Sequence, residues 1–164
     1  MPIVETLSIE HADIPRGQWR NFAGLPGMFN AAGDRNFNIF LDPEMAEDLL
    51  ERGWNVKYTK PKTDEYDPQP YLKVVVKYVG ANGPLRNPPK VVLMTSYSKV
   101  VLDEETIGTL DHAPILNADI IIRPYSWEIN GKTGVTAYLK AAYITLEEDD
   151  FEAKYRFEPD YEVE

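Results

Sequence analysis

The chain has 164 residues, which is enough for one domain with a hydrophobic core and too few for two domains of ordinary size. Its 43% hydrophobic content excludes a wholly disordered polypeptide, and the absence of cysteine excludes disulfides, thiolate nucleophiles and iron–sulfur ligation. A net charge of −10 argues against a nucleic-acid ligand, provided that the charge is evenly spread.

In the N-terminal third, the sequence predicts extended segments around a glycine-rich region, followed by one helix. Residues 3–14 and 37–41 have extended character, and four glycines lie between them. Asp42 is a suitable N-cap, Pro43 suits the first helical position and Gly53 is a suitable C-terminal stop. A helix is therefore expected between Asp42 and Gly53.

The middle of the chain is predicted to contain further strands and a second short helix. Residues 71–79 alternate most clearly between core-type and polar residues, and residues 91–95 form a short apolar strand. Residues 103–110 begin with three acidic residues, which favours a helix start. The loops on either side are rich in proline and glycine.

A β-hairpin is the last predicted element. Residues 120–129 and 135–144 flank Asn130-Gly131, a pair typical of two-residue hairpin turns in which both residues have positive φ. Together, these elements predict a mainly β fold: an OB-fold-like antiparallel β-barrel with one or two short helices and an acidic C-terminal tail. A β-sandwich fits the same inventory.

The acidic residues are concentrated at the C-terminal end. Residues 147–164 hold nine of the 27 acidic and two of the 17 basic residues, leaving 18 acidic and 15 basic residues in 1–146. We therefore expect a nearly neutral domain over residues 1–146 and an acidic tail over residues 147–164. Because a tail that only adds solubility has no need of rings, its aromatic residues indicate a partner-binding segment: Phe151, Tyr155, Phe157 and Tyr161.

The chain begins with MPIVETLSIE, which has no basic segment followed by an apolar run. No stretch of the sequence reaches the length of a membrane span. These observations predict a soluble, unexported protein of the cytoplasm with no membrane partner.

Basic and aromatic residues share single faces of the predicted strands, because successive side chains of a strand point to opposite sides. The first such pairings are Arg35 with Phe37 and Tyr71 with Lys73 and Lys77. The pattern continues in the hairpin with Arg123, Tyr125 and Trp127, and with Tyr138 and Lys140. Single-stranded nucleic acid requires this combination, since cations contact phosphates and rings stack on unpaired bases. The alternative is that the rings cover apolar surface and the cations are merely solvated.

The sequence contains no convincing catalytic or metal-binding motif. Gly131-Lys132-Thr133 resembles the end of a phosphate-binding P-loop, but the required first glycine would fall at Ser126 and the segment is a hairpin turn. His11 and His112 have no second ligand at a metal-binding interval. We expect no enzyme activity and no cofactor.

The order and spacing of several short motifs resemble a known family over roughly residues 7–150. The motifs are Arg20-Asn21-Phe22-Ala23-Gly24, Phe29-Asn30, Gly33-Asp34-Arg35-Asn36-Phe37, Pro68-Gln69-Pro70-Tyr71-Leu72, Arg123-Pro124-Tyr125, Trp127, Asn130-Gly131-Lys132 and Ala137-Tyr138-Leu139-Lys140. Together they are similar to bacteriophage single-stranded DNA-binding proteins with an OB-fold.

This resemblance implies a protein of phage DNA replication or recombination that coats and protects exposed single strands without sequence preference. It also implies that the acidic tail recruits replication or recombination proteins in the host cytoplasm. The DNA-contacting residues predicted from the resemblance and the faces are Arg20, Phe22, Arg35, Phe37, Tyr71, Lys73, Lys77, Arg123, Tyr125, Trp127, Lys132, Tyr138 and Lys140.

Two other hypotheses come from different classes. An acidic protein-interaction or DNA-mimic module would bind a partner protein, and it predicts that the body has no basic face. A metal-dependent hydrolase would need three or more acidic residues in one pocket. A mobile acidic tail would also compete with DNA for the groove, so its removal should tighten DNA binding at low salt.

Overall fold

The protein folds as one mainly β structure, shown by a computed structural model that describes residues 5–28, 30–61, 63 and 65–147. The single α-helix among these residues, α1, spans Pro43–Glu51. Two 3-10 helices span Gly17–Trp19 and Ile107–Asp111. The strands are β1 Leu7–Ile9, β2 Arg20–Asn21, β3 Arg35–Phe40, β4 Lys57–Tyr58, β5 Pro70–Val76, β6 Val79–Gly80, β7 Gly83–Pro84, β8 Lys90–Met94, β9 Lys99–Leu102, β10 Ile115–Ile129 and β11 Lys132–Leu146.

Most strands belong to one sheet, whose main path runs β1-β10-β11-β5-β3-β2. Strand β8 pairs with β11 and β9, while β4 pairs with β5. The mainly β class expected from the sequence is confirmed, but the sheet is not closed among the described residues. Two of its pairings, β11 with β5 and β11 with β8, are parallel and were not expected.

The predicted hairpin is present and is longer than expected. Strands β10 and β11 each have 15 residues and pair in antiparallel register from Ile115/Leu146 to Ile129/Lys132. Asn130 and Gly131 have φ values of 51° and 80°, as a turn with two left-handed residues requires. The register of the hairpin shifts twice: between Ile115 and Asn117 of β10, and at a bulge in β11 where Ile121 pairs with Ala141 and Ile122 with Leu139.

The predicted helix is confirmed with its caps. The Asp42 side chain accepts a hydrogen bond of 2.8 Å from the Met45 N–H group, and Pro43 occupies the first helical position. The helix ends before Gly53, which has φ 99°. The second predicted helix is shorter and tighter, since its helical part is the 3-10 segment Ile107–Asp111. Strand β9 was not predicted.

The core lies on one side of the central strands. In β5, Pro70, Leu72, Val74 and Val76 are buried, whereas Lys73 between them is exposed. This confirms the predicted division of β5 into a core face and a polar face. Residues of α1 and of the inner faces of β3, β10 and β11 complete the same cluster.

Candidate nucleic-acid interface

Strand registers bring predicted residues from β5, β11 and β10 onto one side of the sheet. Tyr138 lies beside Val75 of β5, which has the same orientation as Lys73, and Arg123 lies opposite Tyr138. Tyr125 is two residues further along β10. We call this surface the exposed face, defined by Lys73, Lys77, Arg123, Tyr125, Tyr138 and Lys140.

A groove of about 970 Å³ crosses the hairpin side of the exposed face. Its lining includes three cationic residues, Lys77, Arg123 and Lys140, and two aromatic residues, Tyr125 and Tyr138. Its other walls are Leu85, Asn87, Pro88, Pro89, Pro124 and Leu139, so no acidic residue lines it in the described part of the chain. This groove can attract a polyanion and offer rings to unpaired bases.

A smaller groove of about 350 Å³ continues the surface toward β3. Lys73, Lys77, Val75 and Tyr138 line it together with Asn36 of β3, and its wall beside Arg35 also contains the acidic residues Asp34 and Glu104. Because Lys77 and Tyr138 line both grooves, the two grooves are adjacent. We refer to them as the small groove and the large groove.

Tyr138 is the aromatic residue at the junction of the two grooves. The Lys77 Nζ atom lies 5.8 Å from the centre of its ring, within the range of a cation–π contact. The Tyr125 ring, on the neighbouring strand β10, has its centre 5.9 Å from the centre of the Tyr138 ring. The two ring planes meet edge-to-face at 75°. The Tyr138 ring is thus in contact with both a cation and a second aromatic ring.

Lys140 is the extra residue of the β11 bulge, since its neighbours Leu139 and Ala141 pair with Ile122 and Ile121. A bulge changes the direction of a side chain relative to regular alternation. The Lys140 side chain is exposed and lines the large groove beside Arg123.

Arg35 lines the small groove but is largely engaged within the protein. Its Nη1 atom donates a hydrogen bond of 2.9 Å to the Phe22 carbonyl oxygen, and Nη2 lies 3.8 Å from Glu104 Oε2. The guanidinium also lies 5.9 Å from the centre of the Tyr78 ring. Only 15% of the Arg35 side chain is exposed, and its ion-pair partner Glu104 lines the same groove, so Arg35 offers a ligand neither a free donor nor an unpaired charge.

Tyr71 lies at the β3 end of the same side, in an aromatic cluster that sequence reasoning did not identify. The Trp19 ring lies 5.1 Å from both the Phe40 ring and the Tyr71 ring, edge-to-face in each case. Asn38 holds the Trp19 carbonyl through a 3.1 Å hydrogen bond from Nδ2. The signal was present, because Phe37 and Ile39 mark the core face of β3 and so place Phe40 on the other face.

The prediction that Arg20 contacts DNA is wrong, because its side chain is buried and fully engaged. Arg20 is 7% exposed. Its guanidinium donates four hydrogen bonds of 2.8–3.0 Å to the carbonyl oxygens of Ile14, Pro15, Leu110 and Ala113. Burial lowers its pKa, nearby Arg16 lowers it further, and Asp111 opposes both effects. Arg20 therefore joins three chain segments.

Phe22 and Phe37 were also expected to contact DNA and instead belong to the core. Each is 1% exposed, and their rings stack at a centroid distance of 4.7 Å. Phe37 lies opposite Arg20 in the β2–β3 register, so both point to the same inner side. We call Arg20, Phe22 and Phe37 the buried corner.

Two predicted residues lie near the closed end of the hairpin, outside the lining of both grooves. Trp127 is half-buried and pairs with Gly134, and Lys132 is exposed beside the Asn130-Gly131 turn. The tail candidates Phe151, Tyr155, Phe157 and Tyr161 lie outside the described residues.

Neither a metal-binding cluster nor a membrane-spanning helix is found among the described residues. No group of three or more histidine, aspartate or glutamate residues within them is arranged to hold a metal ion. None of their helices is long and apolar enough to cross a membrane.

Two solved structures of a bacteriophage protein have a fold similar to that of this chain. A solved structure of the single-stranded DNA-binding protein from bacteriophage Enc34, in complex with ssDNA, is similar with a TM-score of 0.56 and 10% identity, over 90% of this chain and 89% of that chain. A second structure of the Enc34 protein has a TM-score of 0.54 and 9% identity, over 90% of this chain and 84% of that one. At this identity the likeness concerns the fold.

No curated protein matches the chain. The family model for phage ssDNA-binding domains matches residues 3–164, which is nearly the whole chain. This match confirms the resemblance read from the motifs, and the family is a binding family without enzymatic activity. The chain therefore belongs to the phage ssDNA-binding domain family.

Proposed function

We propose that this protein binds single-stranded DNA along the exposed face, with the strand crossing the small groove and the large groove in turn. Membership of the family establishes ssDNA as the ligand class, and the path and the contact residues are our proposal. The observation that carries it is the large groove, which combines Lys77, Arg123 and Lys140 with Tyr125 and Tyr138.

The proposed contacts divide into two chemical roles. The phosphate contacts come from the cations that line the grooves and, unlike Arg35, donate no described hydrogen bond to a carbonyl oxygen. These cations are Lys73, Lys77, Arg123 and Lys140. Tyr138 and Tyr125 stack on bases, since a base offers a π-face whatever its identity. Tyr71 extends the path at the β3 end, and Trp127 and Lys132 extend it at the hairpin end.

A single-stranded ligand fits this surface better than a duplex. Stacking requires bases whose faces are free, whereas a duplex offers mainly its phosphates to a basic surface. The DNA-mimic alternative predicts that the body has no basic face, and the cationic lining of the large groove argues against it.

The test is a titration of the full-length protein with a fluorescein-labelled oligo-dT and with a duplex of the same length, followed by anisotropy at low and high salt. We expect the single strand to bind more tightly, with an affinity that falls steeply with salt. Equal affinity for the single strand and the duplex would show that base stacking does not contribute to binding. If no DNA binds at low salt, the proposed function is wrong.

We also propose that residues 147–164 act as a separate acidic tail that contacts replication or recombination proteins in the host cytoplasm. What supports this is the concentration of nine acidic residues there beside four aromatic ones. The fold continues at least to Glu147, whose N–H group donates a 2.7 Å hydrogen bond to the Pro114 carbonyl oxygen. A truncation should therefore retain Glu147.

Removing residues 148–164 should tighten ssDNA binding most clearly at low salt, because a segment of like charge then no longer competes with the strand. The control is a full-length chain in which the same acidic residues are replaced by their amides. If truncation and neutralisation both leave the affinity unchanged at low salt, the tail does not compete for the exposed face.

A further inference from the structure

Gly134 is a glycine whose identity is not required by its backbone conformation. Six other glycines have positive φ, including Gly131 in the turn of the same hairpin, and Gly134 is not among them. An L-residue could adopt its extended conformation at the third residue of β11. The reason for a glycine there must therefore be space.

The space is occupied by the indole ring of Trp127, which lies directly opposite Gly134 in the β10–β11 register. A Cβ atom placed on Gly134 would lie 2.4 Å from Trp127 Cζ2, 2.7 Å from Cε2 and 3.1 Å from Cη2. Real Cβ atoms do not approach carbon atoms this closely, so any side chain at position 134 must displace the ring. By contrast, a Cβ atom on Gly131 would meet nothing within 4 Å.

The Trp127–Gly134 pair lies in a part of the hairpin that extends beyond the body of the sheet. The pairing of β1 with β10 ends at Ile122, and the pairing of β5 with β11 begins at Ala137. From Ile122 and Ala137 to the turn, β10 and β11 pair only with each other among the described strands. The indole is therefore held in place by its contact across the hairpin.

Trp127 continues the row of side chains that forms one wall of the large groove. Arg123, Tyr125 and Trp127 alternate along β10 and share one side of it. The first two line the large groove and Trp127 lies just beyond them toward the turn. A strand of DNA that leaves the large groove along the hairpin reaches Trp127 next.

We propose that Gly134 is a positioning residue for DNA binding, because its missing side chain seats the Trp127 indole as a base-stacking station beyond the large groove. This inference rests on the proposed function and adds a specific site to it. A tryptophan held in one place loses less conformational freedom when a base stacks on it, so the seat raises affinity by pre-organisation. The ligand class is an unpaired base, with no requirement for its identity.

The test is a double-mutant cycle with Gly134→Ala, Trp127→Ala and the double variant, each titrated as full-length protein with labelled oligo-dT. We expect Trp127→Ala to weaken binding by about 5- to 150-fold, the range that corresponds to one stacked base. Gly134→Ala should weaken it by a similar factor, and the double variant should be no weaker than Trp127→Ala alone. Thr133→Ala is the matched control and should bind like the unmodified chain.

Each other result overturns the inference in a distinct way. If Gly134→Ala binds normally while Trp127→Ala does not, Gly134 does not position the ring. A double variant that is much weaker than Trp127→Ala shows that the glycine acts through the backbone. If Gly134→Ala lowers only the melting temperature, the ring serves to cover the glycine and stabilise the hairpin.

Failure of the inference is distinguishable from failure of the proposed function. Should Gly134→Ala not fold, the double variant lacks the steric conflict and still reports on the glycine, and Trp127→Phe reports on ring size. Normal binding by Trp127→Ala together with weak binding by Tyr138→Ala rejects the hairpin station but retains the exposed face. Normal binding by both variants rejects the exposed face as well.

Discussion

The buried corner and the exposed face both combine arginine with aromatic rings, but these side chains stabilise the fold in the first region and face solvent in the second. The guanidinium of Arg20 in the buried corner donates hydrogen bonds to four backbone carbonyl oxygens, whereas Arg123 on the exposed face lines a groove. Phe22 and Phe37 stack on each other in the core, whereas Tyr138 and Tyr125 contact each other at the surface. Arginine beside an aromatic ring therefore indicates a ligand site only where the guanidinium is not already engaged.

The largest effect that separates the two regions should come from their arginines. Arg20→Met removes the donors of four carbonyl groups, and we expect it to lower the free energy of unfolding by about 3 kcal/mol or more. Arg123→Met removes an exposed side chain, so the free energy of unfolding should change by about 0.5 kcal/mol or less. Urea unfolding of both variants measures the difference.

DNA binding should show the reverse order for the same pair. Arg123→Met should weaken oligo-dT binding, and Arg20→Met should bind normally under conditions where it remains folded. If Arg20→Met is as stable as the unmodified chain and loses affinity for DNA, the assignment of Arg20 to the buried corner is wrong.

A smaller effect concerns the ring at the junction of the two grooves. Tyr138→Ala should weaken oligo-dT binding by about 1 to 3 kcal/mol through loss of stacking. Its matched control is Tyr66→Ala, since Tyr66 is 69% exposed and lies outside the lining of both grooves. Anisotropy titration of both variants, with thermal melts, tests this. Equal losses of affinity for the two tyrosines would show that Tyr138 has no special role.

The smallest effect is expected at Tyr78, which lines the small groove and whose ring centre lies 5.9 Å from the Arg35 guanidinium. Its hydroxyl is buried without a hydrogen-bond partner among the described residues, so Tyr78→Phe should leave stability at neutral pH unchanged or raise it by up to about 1 kcal/mol. A lower stability would reveal a partner for the hydroxyl.

Alkaline pH should make the same substitution more visible. Burial, opposed by Arg35, raises the pKa of Tyr78 from its ordinary value of 10.0 to about 12, so the folded state favours the neutral phenol. This contribution to stability is complete below pH 10 and is lost as the pH rises from about 10 to about 12, because the unfolded chain ionises first. Tyr78→Phe should therefore gain stability relative to the unmodified chain across that interval, as urea unfolding at each pH would show.

Local patterns were sufficient to predict the elements whose signals lie within a few residues. The Asn130-Gly131 turn, the Asp42 cap with Pro43, and the alternation of β5 all have such signals and are confirmed. The exposed face depends on the same period-2 reasoning and on registers that bring β5, β11 and β10 together.

The predictions that were wrong had two causes: contacts between distant parts of the chain, and a misread local alternation in β3. Arg20 is buried because it meets carbonyl groups up to 93 residues away, which no local pattern reveals. In β3 the prediction chose the face of Phe37, although Phe37 and Ile39 form the apolar alternation that marks the core. The parallel pairings of β11 and the β11 bulge at Lys140 also arise from packing between elements.

The central claim is that DNA crosses the large groove by contacts with its cations. The most direct measurement is the salt dependence of oligo-dT affinity for the full-length protein and for the triple variant Lys77→Gln, Arg123→Gln and Lys140→Gln. We expect the slope of log K against log salt to become shallower by about 2, since each phosphate contact on a single strand contributes roughly 0.7. An unchanged slope and an unchanged affinity would contradict the account and place the DNA elsewhere on the protein.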